Sequence, residues 1–261
     1  MNKYLDDFQL KQRYNSNINN LEIVVLGTIE YQWLLKPLAF MFWKYFQNAK
    51  ILYFSNKFVD LEHVPANVEL RTLPFDNWDW FSDFGEGLRQ AVLTLKGKVF
   101  FLCLLDMWPN NYIKLDRVEM LYNYLNCNSG TVLRGLVGDD SNLLAYGHSI
   151  SKKNELDIIT TTKYDKHSSG NAGFMLTPSL WNKELLLKYL ENCSIWDIEE
   201  HHTRKMRKDS VYSVWTRQSI FPFYHTLTRE SKGTKIFLKR FFDEDKKILE
   251  SFIPKSVSVI K

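Results

Sequence analysis

The sequence predicts an α/β fold built on a mixed, mostly parallel sheet flanked by helices. Strand-like and helix-like patterns alternate over the first hundred residues, which is typical of a largely parallel sheet. The run VFFLCLL at 99–105 is apolar throughout and lies between Gly97 and Pro109. Such a run favours a central strand covered on both faces over a half-exposed one.

The first half of the chain contains four predicted strands, each ending at a polar or turn-forming residue. We place them at 21–26, 49–54, 68–73 and 99–105. Apolar residues at helical spacing predict a helix over 31–47, and a second helix over 85–95 leads into the fourth strand. The segment 76–84, DNWDWFSDF, is interpreted as a loop rich in aromatic and acidic residues.

The second half continues the same alternation. Strands are predicted at 131–137, 156–164 and 172–177. Helices are predicted at 114–125, 180–192 and 241–252. Pro178 precedes the second of these helices and fits a helix start. The last residues, 254–261, are interpreted as a strand or a tether.

The composition is that of an ordinary globular protein. The chain has 261 residues, 45% of them hydrophobic and 25% charged, and a formal net charge of +4. This mild basicity permits anionic partners, but it lacks the strong imbalance of a dedicated nucleic-acid binder. The aromatic share of 15% invites a search for stacking surfaces, although large aromatic side chains are used first in cores.

Cysteine usage and hydropathy bear on the compartment. The three cysteines lie far apart and form no CxxC pair, which favours a reducing compartment and argues against a structural zinc site. The polar opening MNKYLDDFQLKQRYN does not resemble a secretory signal. The most apolar helical segment, 33–46, is short and contains Lys36, Pro37 and Lys44, so no membrane span is expected. We therefore expect a cytoplasmic protein.

Several common catalytic motifs are missing from the sequence. It has no GxSxG elbow, no GxGxxG loop and no Walker A loop, which argues against the hydrolase, dinucleotide and P-loop classes. The segment 196–206, WDIEEHHTRKM, carries two Glu and two His, but it lacks HExxH spacing. Adjacent His residues also point in different directions on a helix, so a zinc site is disfavoured there.

The fourth strand ends at a carboxylate, Asp106, in the place where open α/β sheets bind ligands. The other strand ends, at Thr28, Ser55-Asn56 and 74–76, are expected along the same edge. Asp106 could equally begin a turn before Pro109.

Asp106 and Glu199 together would suit a reaction in which one acid helps hold a metal-bound diphosphate and the other accepts a proton. In the alternative, Glu199 and Glu200 lie on a solvated helix face and pair with Arg204 and Lys205.

The order of four short motifs along the chain is informative. They are Trp80-Phe81-Ser82, LLDMW at 104–108, LTPSLW at 176–181 and WDIE at 196–199. In this order the chain resembles a GT-A-like family of nucleotide-sugar glycosyltransferases found in bacteria and in large DNA viruses, including phages. The resemblance extends roughly from Leu21 to Lys235. It implies a GT-A-like, Rossmann-like fold and a cytoplasmic location in a bacterium or a viral host.

The resemblance also implies roles for particular residues. Asp106 falls at the metal- or diphosphate-binding acid, and Glu199 falls at the catalytic base. The nucleotide pocket would be lined by Thr28, Asp76, Trp80 and Ser82. Arg229 and Lys232 would neutralise the diphosphate. The implied cofactors are a nucleoside-diphosphate sugar donor and a divalent cation, Mn or Mg, although Trp108 stands where the family has the second acid of an Asp-x-Asp pair.

The expected activity is transfer of a sugar to an acceptor hydroxyl on a glycan, a small molecule or a modified DNA base. A single domain is expected over 1–240, with a nucleotide-binding half at about 21–110 and an acceptor half at about 111–240, followed by a C-terminal helix and tail over 241–261. Two other functions stay open. One is a non-catalytic α/β module that binds nucleic acid or protein, and the other is a nucleotidyltransferase.

Overall fold

A mixed sheet with helices on both faces organises the fold. The computed structural model describes residue 18 and residues 21–46, 49–58, 64–136, 176–195, 197–198, 209, 211–215, 222–230 and 233–260. The strands in these ranges are β1 (Glu22–Leu26), β2 (Lys50–Ser55), β3 (Val68–Thr72), β4 (Val99–Leu104), β5 (Met107–Pro109), β6 (Val132–Leu136), β7 (Ser179–Asn182), β8 (Tyr212–Trp215), β9 (Phe223–His225), β10 (Leu227–Glu230), β11 (Gly233–Phe237) and β12 (Ser258–Ile260). The α-helices there are α1 (Leu35–Tyr45), α2 (Trp80–Leu93), α3 (Leu115–Cys127), α4 (Lys183–Tyr189) and α5 (Asp243–Phe252), and a 3₁₀ helix, Ile29–Leu34, precedes α1.

Seven of the described strands form the main sheet, in the order β3-β2-β1-β4-β7-β6-β8. The pairs β3–β2, β2–β1, β1–β4 and β6–β8 are parallel. Strand β7 runs antiparallel to both of its neighbours, β4 and β6. Six strands therefore share one direction and β7 opposes them. The predicted fold class, a mixed and mostly parallel sheet flanked by helices, is confirmed.

Both faces of the sheet are buried because side chains alternate between two apolar clusters. Ile23 of β1 faces the cluster that includes α1 and α3. Its neighbour Val24 faces the cluster that includes α2 and α4. Every residue of β4 from Val99 to Cys103 is buried, as the unbroken apolar run predicts.

Two smaller sheets lie beyond the main one among the described residues. In one, β5 pairs antiparallel with β9, and in the other β11 lies between β10 and β12. Helix α5 packs against α1, where the buried carboxylate of Asp245 accepts hydrogen bonds from Lys44 and Tyr45. This contact joins α5 to α1, the first α-helix described in the chain.

Three predicted elements differ from the structure in their bounds. The helix predicted from 180 begins at Lys183, because Ser179–Asn182 forms β7, a strand whose four residues are all buried between β4 and β6. The loop predicted over 76–84 ends early, because α2 begins at Trp80; the backbone departs from helical geometry at Asp83. Leu176 and Thr177 are not in a strand, and the rest of the strand predicted over 172–177, with the one over 156–164, lies outside the described residues.

Two further observations concern the cysteines and the helices. All three cysteines are free thiols. Within the described ranges, every helix is too short or too polar to span a bilayer.

Candidate functional site

The ends of β1 and β4 form the centre of the candidate site. From β1 the chain moves outward through β2 to β3 and then returns to β4 on the other side of β1. The carboxyl ends of β1 and β4 therefore flank the point where strand order reverses, which is where open α/β sheets bind ligands. Leu26 pairs with Leu104, so Thr28 and Asp106 each lie two residues beyond the same strand pair.

Asp106 is half-buried and is held through its backbone. Its carbonyl oxygen accepts hydrogen bonds from the backbone N–H and the Oγ1 hydroxyl of Thr226, both at 2.8 Å. Strand β5 follows directly, and its Met107 pairs with His225 of β9. Burial, and then the negative charge of Asp106, raise the pKa of the buried Cys103 thiol.

The position two residues after Asp106 belongs to the core. The Trp108 side chain is fully buried, its Nε1 donates to the Leu105 carbonyl at 2.7 Å, and its ring centroid lies 6.1 Å from that of Phe241. An acid at this position would enter the apolar core, so position 108 serves packing. Among the described residues no group of three His, Cys, Asp or Glu side chains could hold a metal ion.

A cleft of about 500 Å³ opens beyond β2 and β3. It is lined by Asn56, Lys57, Thr72, Leu73, Pro74, Phe75, Asp76 and Asn77. Asp76 is exposed, and its backbone carbonyl accepts a hydrogen bond from Asn56 Nδ2 at 3.4 Å. The residues that line the cleft therefore carry a carboxylate, amides and an ammonium group, together with the apolar side chains of Leu73, Pro74 and Phe75.

A buried hydrogen-bond network supports one wall of the cleft. Gln32 comes from the 3₁₀ helix and donates through Nε2 to Ser55 Oγ at 3.3 Å and to the Lys57 carbonyl. Ser55 Oγ donates to the same carbonyl at 2.9 Å. The chain leaving β2 is thus fixed by a side chain from the element that follows β1.

The first turn of α2 contacts the segment that leads towards Glu199. The exposed Ser82 hydroxyl lies 2.9 Å from Asp83 Oδ2, while Asp83 Oδ1 accepts from Asn192 Nδ2 at 3.2 Å. The backbone N–H of Gly85 donates to the Cys193 carbonyl at 3.0 Å. The aromatic and acidic segment is therefore joined to residues 192–193.

A short capped turn follows that contact. Ser194 Oγ accepts from the backbone N–H of Asp197 at 3.0 Å and lies 2.6 Å from its carboxylate. Ile198 is fully buried in the apolar cluster beneath α2. Glu199, the next residue, lies outside the described residues, and its pairing with Asp106 stays a prediction.

The remaining expected site residues are placed in part. Thr28 is half-buried at the end of β1 and precedes the 3₁₀ helix. Trp80 begins α2 and Arg229 lies in β10, but their side chains fall outside the described part. Lys232 and the four acids and histidines at 199–202 also lie outside it. Thr28, Asp76 and Asp106 thus all lie at carboxyl ends of the parallel strands.

Three residues of this edge were not predicted from the sequence. Lys57 could have been found, because it directly follows the β2 strand end. Gln32 gave no signal, since a polar residue in an apolar helical pattern is usually assigned to its solvent face. Thr226 gave none either, because it is 120 residues from Asp106 and only the β5–β9 pairing brings them together.

The comparisons with known proteins give likenesses to solved structures only, and these are remote. A scan against protein-family models and a search of curated proteins both found no match. Among solved structures, the chain is similar to the crystal structure of S. aureus TarS, a glycosyltransferase, with a TM-score of 0.46 and 10% sequence identity. The match covers 78% of this chain and 36% of the TarS chain, so this chain spans about a third of the length of TarS. A likeness this distant carries no argument about activity.

Proposed function

We propose that the chain is a glycosyltransferase that moves a sugar from a nucleoside-diphosphate sugar to an acceptor hydroxyl. The observation that carries this proposal is the position of Thr28 and Asp106 at the strand-order reversal, on the same sheet edge where the ends of β2 and β3 line a polar cleft. A sugar nucleotide has a flat polar nucleoside at one end and a reactive carbon next to a diphosphate. A cleft and an acid-bearing strand end on one edge of the sheet suit both parts.

The nucleoside would bind in the cleft. A volume of about 500 Å³ is within the range of small-molecule sites. The amides of Asn56 and Asn77 can donate to and accept from a base edge. The exposed Asp76 carboxylate can accept from ribose hydroxyl groups, and the Lys57 ammonium supplies a positive charge.

The diphosphate would lie at Asp106. A single carboxylate suits a divalent cation whose other ligands are phosphate oxygens and water, the usual arrangement for Mg²⁺. Such a cation would neutralise the charge that develops on the departing diphosphate. Arg229 and Lys232 are proposed to add positive charge there, since β10 begins one residue after Thr226.

Glu199 is proposed as the base. In the reaction, the bond between the sugar anomeric carbon and the diphosphate oxygen breaks, and a bond from the acceptor oxygen to that carbon forms. The acceptor proton passes to the Glu199 carboxylate. The capped turn at Ser194 and the buried Ile198 support this proposal by fixing the chain directly before Glu199.

The first test is a thermal-shift panel of UDP-, GDP- and dTDP-sugars with and without Mn²⁺. A ligand that binds only the folded state at 100 times its Kd stabilises it by about 2.7 kcal/mol, and we expect one donor to raise the Tm. Asp106→Asn should lose the Mn²⁺-dependent part of this shift. The matched control Asp116→Asn changes an exposed helix acid and should keep it.

Each rival function has its own outcome in this panel. If no donor shifts the Tm of the wild-type chain, the glycosyltransferase proposal is abandoned in favour of a binding module. A shift with nucleoside triphosphates and none with nucleotide sugars would instead indicate a nucleotidyltransferase.

The second test separates Glu199 from its neighbour. Glu199→Gln should lower sugar transfer by at least about 100-fold and leave donor binding intact, because a general base typically contributes 10²–10⁴-fold. Glu200→Gln is the matched control and should stay near the wild-type rate. Nucleoside diphosphate release is measured with glycan, small-molecule and modified-DNA acceptors. Turnover in Glu199→Gln equal to that of Glu200→Gln would exclude Glu199 as the base.

A further inference from the structure

Thr226 makes an unusual contact with the strand-end acid. It lies between β9 and β10 and is fully buried. Its backbone N–H and its Oγ1 hydroxyl both donate to the Asp106 carbonyl oxygen, each at 2.8 Å. Its own carbonyl accepts from the backbone N–H of Phe237 in β11, also at 2.8 Å. Thr226 thus joins Asp106 to β11 of the three-stranded sheet β10-β11-β12.

The hydroxyl is the part of this contact that strand pairing does not require. Continuing the Met107–His225 pairing by one residue brings Thr226 opposite Asp106, and the backbone N–H bond follows for any residue type other than proline. The hydroxyl adds a second donor, which satisfies both lone pairs of the carbonyl. Because the hydroxyl is buried, leaving it without a partner would be costly, and the bond is retained in the folded state.

Two donors on one carbonyl restrict the peptide plane that follows Asp106. That plane sets the ψ torsion of Asp106, and the backbone torsions limit the side-chain rotamers, and so the directions, that the carboxylate can adopt. Both donors of Thr226 bond to the Asp106 carbonyl oxygen and not to its carboxylate. We propose that Thr226 is a positioning residue, which holds Asp106 in the orientation that binds the cation–diphosphate group of the donor. This inference rests on the proposed function.

The test compares two substitutions of similar size. Thr226→Val removes the hydroxyl and keeps the shape, while Thr226→Ser keeps the hydroxyl. Isothermal titration measures the affinity for the panel donor with the largest Tm shift, over a range of Mn²⁺ concentrations. Thr226→Val should weaken Mn²⁺-dependent donor binding about tenfold, the lower end for residues that orient a metal ligand, and Thr226→Ser should stay close to wild type. Thermal melting of each variant verifies that it folds.

A double-mutant cycle distinguishes positioning from general support of the fold. If Thr226 acts through Asp106, then Thr226→Val should cost no further donor affinity once Asp106→Asn is present. Equal losses in the two backgrounds would overturn the inference, as would equal losses in the Val and Ser variants. If the wild-type chain binds no donor, both the proposed function and this role of Thr226 are overturned. If the wild-type chain binds a donor and the losses in affinity from the two substitutions add, only the role of Thr226 is overturned.

Discussion

At the scale of single residues, Gly27 shows how closely the candidate edge is packed. A Cβ at this position would lie 2.3 Å from Leu105 Cδ1 and 2.6 Å from the Tyr53 hydroxyl. Both neighbours are buried, and Gly27 also donates from its backbone to Phe54 at 3.1 Å. The end of β1 can therefore approach β2 and β4 only without a side chain.

We expect Gly27→Ala to lower the free energy of unfolding by about 1–3 kcal/mol, the usual cost of overpacking a core. It should also weaken donor binding, because Thr28 is the next residue. Urea unfolding followed by circular dichroism measures the stability. Gly130→Ala is the matched control, since a Cβ there meets nothing within 4 Å. Equal stability of the two variants would contradict the packing argument.

Individual site residues were predictable only where the local pattern indicated their position. Asp106 follows an unbroken apolar run, so its place at a strand end could be read from neighbours in sequence. The burial of Trp108 could not be predicted from its neighbours in sequence, because its partner Phe241 is more than 130 residues away in the chain. Thr226 depends in the same way on a remote pairing, and no periodicity marks it.

At the scale of elements, strands with turn residues at their ends were predicted well. Strands β1 to β4 and β6 lie within a residue or two of the predicted ranges. Strand β7 was missed because SLWN is buried along its whole length and is short. Periodicity cannot distinguish such a run from the start of a buried helix. Only its position between β4 and β6 identifies it as a strand.

The irregular start of α2 has a structural role that the sequence did not reveal. A Cβ at Gly85 would lie 2.0 Å from the Glu191 carbonyl oxygen and 3.1 Å from the Cys193 backbone nitrogen. The kink at Asp83 directs its carboxylate to Asn192. These contacts bring the Ser82 segment against the chain that leads to Glu199. The sequence placed Ser82 in a loop, and that interpretation hid the contact.

At the scale of the whole molecule, the C-terminal segment closes the fold onto its first helix. Asp245 is fully buried, and its carboxylate accepts from Lys44 and from the Tyr45 hydroxyl. Strand β12 pairs with β11, which in turn is bonded to Thr226. The end of the chain is thus connected to both α1 and the candidate site. The sequence pattern predicted helix α5, but the pattern of a surface helix does not indicate that it packs against α1.

This closure should make stability fall at alkaline pH. Burial, and then the hydrogen bond to Asp245, raise the pKa of Tyr45 well above its ordinary value of 10.0. Below pH 10 the phenol is protonated in both states, and its contribution to stability is fully present. Above pH 10 the unfolded chain releases the proton while the folded chain keeps it. Stability then declines by up to about 1.4 kcal/mol per pH unit for this group.

Tyr45→Phe should therefore be less stable than wild type at neutral pH, because Asp245 loses a donor, and should lose less stability above pH 10. The decline should not vanish, since burial also raises the pKa of Tyr53. The free energy of unfolding in urea, measured from pH 8 to pH 11, gives both slopes. Tyr112→Phe removes a hydroxyl from an exposed ring that packs on Tyr45, and it serves as the matched control. Parallel alkaline slopes in wild type and Tyr45→Phe would mean that the Tyr45–Asp245 contact does not govern the closure.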